Sequence, residues 1–255
     1  MNRALPSSMP RPGTVLLFHV RLAAVTPGAV AGLRAWLSPD ERSRHERFLD
    51  AGAALEFVTG RALLRSRLAA LAGTDASAWA IGAGTHGRPF AVGPAGAPTV
   101  SFNLSHTRGR VVLAVGHRDE LGVDVEALDR RVDVLAVAHR YFSADEVRAL
   151  HALPATLHRE RFLTLWTLKE AYLKARGVGL GLPLGAFGFS FRGGRARVRF
   201  EAPIVDDPAA WCFATLDLDA SHRVAVAQRG RALHVVAMPV PLETLAGLPS
   251  PAGAV

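Results

Sequence analysis

The stretch 159–176 constrains this chain more than any other, because it reads as one helix that is apolar around much of its circumference: Phe162, Leu163, Leu165, Trp166, Leu168 and Leu173. A helix with so broad an apolar surface is packed against other elements rather than solvated. Gly177, with further glycines at 179 and 181, stops it. Set into it is a short charged run, Lys169, Glu170 and Lys174, which therefore borders a cleft. Of 30 Lys and Arg residues in the chain, these are the only two lysines. A general bias toward arginine explains the scarcity of lysine but not why both survivors lie within a turn and a half. Where a compact, rotatable ammonium is needed, arginine substitutes poorly.

Upstream, Gly122-Val123-Asp124-Val125-Glu126 alternates apolar and acidic residues. In a strand, side chains two apart face the same way, so Asp124 and Glu126 project together while Val123 and Val125 face the core. Taken alone, the pair is as well explained by a half-exposed strand with a polar face. A third ligand makes it informative. Trp166, Glu170 and Lys174 stand at helical spacing on neighbouring turns, and Glu170 is that third acid. Three carboxylates with no softer ligand favour a hard, oxygen-seeking ion. Magnesium, with manganese as the alternative, takes its remaining ligands from water and substrate phosphates.

The other elements are less pronounced. Val15–Leu22 reads as a strand after a loose lead-in over 1–13. Ser38-Pro39-Asp40-Glu41 starts a helix that carries Arg42, Arg44, His45 and Arg47. A second helix spans Ala53 to Ala72 and ends at Gly73, and 82–99 reads as loop. A strand at Val100–Leu104 leads into Ser105-His106. Val111–Val115 and Leu121–Val125 read as two strands joined by a polar turn from Gly116 to Glu120. Ser143 caps a helix running through Leu150, with Glu146 as its capping-box partner. Short β-like runs fill the rest to about 240. Ser105-His106 and the Val/Ala run after it echo Ser221-His222 and its own Val/Ala run, which points to two related α/β halves meeting near residue 118.

Composition bounds the partners. The formal charge of +8 and a pI near 11.0 call for an anionic partner: nucleic acid, an acidic protein surface or a phosphorylated cofactor. No window approaches the roughly 18 apolar residues that cross a bilayer, the N-terminus does not read as a signal peptide, and the cytoplasm is the expected compartment. The single cysteine, Cys212, leaves no internal disulfide and no zinc cluster.

Five motifs in order resemble the 4′-phosphopantetheinyl transferases of the larger two-half type: Gly87-Arg88-Pro89, Phe102–His106, Gly122–Glu126, Phe142–Glu146 and Trp166–Lys174. The resemblance covers about residues 36–190. It implies an α+β fold of two similar α/β halves in pseudo-twofold arrangement: 1–118 for coenzyme A contacts, 119–240 for the metal motifs, and a tail from 241 to 255. It implies transfer of the phosphopantetheine arm of coenzyme A to a serine of an acyl or peptidyl carrier protein. It also implies a monomer acting without nucleic acid or membrane.

Residue by residue, the resemblance makes Asp124, Glu126 and Glu170 the magnesium ligands and Lys174 the contact to the diphosphate and its leaving group. Glu170 and Glu146 are both candidates for the general base, although Glu146 serves equally as a capping residue. Arg88, Ser105 and His106 fall at coenzyme A contacts. Arg44 and Arg47 lie in a helix whose counterpart contacts phosphate, and a solvated basic face explains them as well. Where relatives carry further basic residues this chain has Glu41 and Glu56, which shifts the phosphate load toward Arg44, Arg61 or Arg88. Rival readings fit less well. A nucleic-acid binder would show clustered stacking aromatics. A magnesium phosphohydrolase or nucleotidyl transferase has no evident use for Lys174 beside Glu170. A member reduced to a binding module would not be expected to retain all three acids and both lysines.

Overall fold

The computed structural model describes residues 6–22, 25–84, 88–117, 120–130 and 132–247. The chain divides into two units, Met1–His117 with Val236–Val255, and Arg118–Val235. The first unit opens with strand β1 (Thr14–Arg21) and helices α1 (Pro27–Arg34), α2 (Pro39–His45) and α3 (Ala51–Ala72). A short hairpin of β2 (Ala80–Ala83) and β3 (Pro89–Val92) and the strands β4 (Ser101–Thr107) and β5 (Arg110–Gly116) complete the series. The second unit repeats that order: β6 (Leu121–Ala127), α4 (Val134–Tyr141), α5 (Ala144–His151), α6 (Ala155–Arg176), the hairpin β7 (Phe187–Arg192) and β8 (Arg195–Phe200), then β9 (Trp211–Asp219) and β10 (His222–Arg229). The last elements of the described residues are β11 (His234–Pro239) and α7 (Leu242–Gly247). The fold class is α+β.

Strand order shows the same repetition. The first unit has β11-β1-β5-β4 and the second β6-β10-β9, with antiparallel pairing of β1 to β5 and of β6 to β10. The Ser-His echo joined positions that are not equivalent: Ser105 and His106 lie inside β4, whereas Ser221 precedes β10 in the turn after β9. A better marker of the repeat is chemical. Ser38 and Glu41 form a capping box at the start of α2, and Ser143 and Glu146 form one at the start of α5. Each glutamate is buried and ion-paired to a cation on the following long helix: Glu41 to Arg65 at 2.8 Å, and Glu146 to Lys169 at 2.8 Å. Arg65 and Lys169 are each the fifteenth residue of their helix.

Each long helix has a core of its own. Val58, Leu63, Leu64 and Leu68 of α3 pack with Phe18, Val20, Leu113 and Val115 of β1 and β5. In the second unit Leu163, Leu168, Tyr172 and Ala175 of α6 pack with Phe187, Val198, Trp211, Ala225 and Ala227. Tyr172 is fully buried, its ring 4.9–5.3 Å from those of Trp211, Phe187 and Phe200. Asp50 caps α3, and Gly73 and Gly177 end the two long helices in the left-handed region, at φ 65 and 66. That conformation costs glycine little.

Several expectations are corrected here. The strands at 111–115 and 121–125 do not form a ribbon together: β5 lies between β1 and β4, and β6 pairs with β10. The turn expected between them includes Arg118 and Asp119, which lie outside the described residues. The stretch 82–99 is not all loop, since Ala80–Ala83 pairs with Pro89–Val92; Gly87 lies outside the described residues. The expected tail from 241 contains α7, with Leu242 and Leu245 buried in the core of the first unit, and β11 extends the first unit's sheet. Residues 1–5 of the lead-in and 248–255 of the tail are outside the described residues. No helix is long and apolar enough to cross a membrane among the described residues.

Candidate active site

The acidic site lies where α6 runs along β6, and Gly122 sets how closely they approach. A Cβ placed on Gly122 would stand 2.1 Å from the Ala171 carbonyl oxygen and 2.4 Å from the Ala175 nitrogen. Only a hydrogen fits between strand and helix at that point. Asp124 and Glu126 follow at two-residue spacing on the same face of β6, which the alternation of the strand requires. The strand is buried along its whole length, so the polar-face reading of Asp-x-Glu does not hold. The helix reaches both acids. Lys174 Nζ donates to Asp124 Oδ1 at 2.7 Å, and the Trp166 indole N–H donates to the Glu126 carboxylate. Arg130, which the sequence reading passed over, donates to Glu126 Oε1 at 2.5 Å and lies over the Trp166 ring at 5.9 Å. Its i+4 spacing from Glu126 was the available signal.

The carboxylates crowd one another. Burial, then the Asp124 charge, push the Glu126 carboxyl up to about 7, against the opposing pull of Arg130, Lys174 and the Trp166 hydrogen bond. Burial and Asp124 likewise raise Glu170, with Lys174 and Arg130 opposing. Among the described residues no three His, Cys, Asp or Glu side chains stand as a ready-made metal cage. Two cationic side chains hold the acids instead. The donor set nevertheless suits a hard divalent ion: all its ligating atoms are carboxylate oxygens, and the mutual repulsion of Asp124 with Glu126 and with Glu170 is what such a charge relieves. An ion of this kind needs only one or two protein carboxylates when phosphate oxygens and water complete its shell.

The raised Glu126 carboxyl has a consequence for stability. A folded-state value of about 7 against 4.5 for the free group means the folded protein favours the neutral acid. Stability from this group is whole below pH 4.5 and is lost as pH rises through 7. Glu126→Gln, which stays neutral, is therefore expected to gain on the wild type across that window, approaching about 3 kcal/mol without metal. Thermal melts of both proteins in chelator at several pH values check this; a difference that stays flat with pH refutes it.

Glu146 does not belong to this chemistry. It is 2% exposed, and its carboxylate accepts from Ser143 N and Oγ and from Phe189 N while pairing with Lys169. With its lone pairs so engaged, it has no route to a substrate proton. Lys169 is fully buried, donates to the Leu184 and Phe187 carbonyls, and lies over the Phe187 ring at 4.4 Å. Only one of the two lysines, Lys174, reaches the acids. Removing one partner of such a buried pair costs about 3–5 kcal/mol.

The first unit has a separate cleft of about 370 Å³ lined by α2, α3, the β2–β3 hairpin and β4. Arg44, Ser105 and His106 line it, with Arg61 and Phe57. Arg44 and Arg61 lie over the Phe57 ring at 5.2 and 5.4 Å. Glu56 Oε2 holds His106 Nδ1 at 2.8 Å, which orients the ring at the cleft wall. Glu56 thus orients His106, and Glu41 ties α2 to α3 through Arg61 and Arg65. Arg47 is exposed, lies beyond the end of α2, and is not part of the cleft wall. Arg88 is half-buried and also outside the wall, although Pro89 beside it lines the cleft.

Residues 120–227 match the family described as ACPS, the 4′-phosphopantetheinyl transferase superfamily. A 4′-phosphopantetheinyl transferase of Bacillus subtilis is 30% identical over 195 residues, 76% of this chain and 83% of that protein. The 4′-phosphopantetheinyl transferase HetI of Nostoc sp. is 34% identical over 148 residues, 58% of this chain and 62% of the relative, so the match spans less than two thirds of that protein's length. Among solved structures, holo-[acyl-carrier-protein] synthase (AcpS) of Thermotoga maritima is matched with a TM-score of 0.36 and 23% identity, over 44% of this chain and 63% of that chain.

Proposed function

This chain belongs to the 4′-phosphopantetheinyl transferase superfamily, and from that premise we propose that it moves the phosphopantetheine arm of coenzyme A onto a serine of an acyl or peptidyl carrier protein. The carriers are those of polyketide, nonribosomal peptide or fatty acid synthases, converted from apo to holo form by a cytoplasmic monomer. The observation that carries this reading is the meeting of Asp124, Glu126, Glu170 and Lys174 on one strand–helix contact. In the reaction the serine Oγ forms a bond to the pantetheine-side phosphorus. The bond from that phosphorus to the bridging oxygen breaks, and adenosine 3′,5′-bisphosphate leaves.

Magnesium held by Asp124, Glu126 and Glu170 would supply Lewis-acid polarisation and charge neutralisation for the diphosphate. Glu170, four residues before Lys174 on the same face of α6, is the base that receives the serine proton. Lys174 Nζ, held by Asp124, brings a positive charge and a proton donor to the leaving phosphate. Arg44, Ser105 and His106 contact the nucleotide's phosphate groups, with His106 presented by Glu56.

The test is mass spectrometry of an apo-carrier incubated with the protein, coenzyme A and magnesium, beside a chelated control and a manganese arm. The carrier is expected to gain the mass of the arm only with free metal. No gain in any arm, or equal gain under chelation, defeats the reading.

A further inference from the structure

Three acids and two cations meet where α6 runs along β6, and the two cations are held differently. Lys174 projects from the long helix, 29% exposed, and pairs with the buried Asp124. Arg130 stands just past the end of β6. Its backbone N–H donates to the Ala127 carbonyl at 3.1 Å, and its own carbonyl accepts from the Arg159 guanidinium. That turn brings residue 130 back toward Glu126, and Nη1 donates to Glu126 Oε1 at 2.5 Å. The Arg130 side chain is still 48% exposed, against 11% for the carboxylate it holds.

The charge of Arg130 is felt beyond that one contact. It pulls both Glu126 and Glu170 toward the ionised form, as Lys174 does. A guanidinium so placed does part of what a divalent ion would do there, since it offsets the repulsion of Asp124 with the other two acids. It is also a like charge to such an ion, and both draw on the Glu126 carboxylate. Each therefore weakens the other's hold, by the same factor in either direction.

We propose that Arg130 is a tethered competitor of the divalent ion: it neutralises Glu126 in the metal-free protein, gives the carboxylate up when metal binds, and so sets the metal affinity of the site. Arg130 yields rather than Lys174, because it is the more solvated of the two. An ion pair half in water is worth little, and a guanidinium released to water is not left buried and unpaired. It also stays close by. Its Cζ lies 5.9 Å from the centre of the Trp166 ring, and an aromatic face keeps a modest attraction for a cation. The inference rests on the metal role given above to Glu126; it does not assume transfer to a carrier.

Calorimetric titration of the whole protein with magnesium alone, without coenzyme A and at a single mildly alkaline pH, reads the competition directly. Arg130→Gln is expected to bind magnesium about tenfold more tightly than wild type, the scale of one half-solvated, charge-assisted hydrogen bond. Arg148→Gln, which removes an exposed arginine paired with Asp145 of α5, is expected to stay within about twofold. Thermal melts give a second reading: magnesium should raise the melting temperature of Arg130→Gln more than that of wild type at each concentration. Equal or weaker magnesium binding by Arg130→Gln overturns the proposal. So does a control that tightens as much, or a wild type and variant that both fail to bind. A protein that follows the expected series yet adds no mass to a carrier keeps Arg130 in this role and defeats the transfer reading. Mass gain with a flat series does the reverse.

Discussion

Glu170→Ala is expected to lower carrier modification by about a thousandfold while leaving the fold intact, the scale on which loss of a preorganised charge-stabilising group is felt. The side chain is on α6 but outside its buried set, so truncation removes no core packing. It also relieves repulsion, since Asp124 and burial both work against the ionised form. The variant should therefore melt at or slightly above the wild-type temperature. Turnover near the wild-type rate, measured by mass gain on the carrier, would sink the assignment. A variant that is inactive because it is unfolded would be recognised by its circular dichroism and would count against the packing argument instead.

Gly122→Ala is expected to damage both stability and activity, for one reason. The added methyl would meet the backbone of Ala171 and Ala175 at 2.1–3.0 Å, and backbone cannot rotate aside. Helix α6 must move off β6, and with it the contacts of Trp166 and Lys174 to Glu126 and Asp124. Overpacking of this severity costs about 3 kcal/mol, which in a protein of this size lowers the melting temperature by roughly 6–12 °C. Gly181→Ala is the control, because a Cβ there meets nothing within 4 Å. A Gly122→Ala protein that melts and turns over like the control would show that the close approach does not position the site.

Lys169 and Lys174 show where a sequence reading runs short. As the chain's only lysines, the two read from the sequence as one hint of chemistry. Five residues on a helix amount to about 500°, so the two point roughly 140° apart. Glu170 and Lys174, four apart, share a face. That difference in phase was readable from spacing. What each face meets was not, because the acid paired with Lys169 is contributed by α5 and the acid paired with Lys174 by β6. Glu146 was legible as a capping residue from Ser143 three positions before it, and its candidacy as a base came from the resemblance alone; its burial beside Phe189 and Lys169 is a matter of distant chain.

Local chemistry in the chain determined the helix caps, the alternation that puts Asp124 beside Glu126, the helical spacing of Trp166, Glu170 and Lys174, and the family. Those depend on interactions within a few residues, which a one-dimensional pattern records. Tertiary structure alone decided that β6 pairs with β10 a hundred residues later, that Arg130 and Trp166 hold Glu126, and that the C-terminal residues form β11 and α7 within the first unit. It also decided that Gly122 is there for the sake of a helix backbone. Such facts depend on which surfaces meet across long chain separations, and no local periodicity encodes the partner.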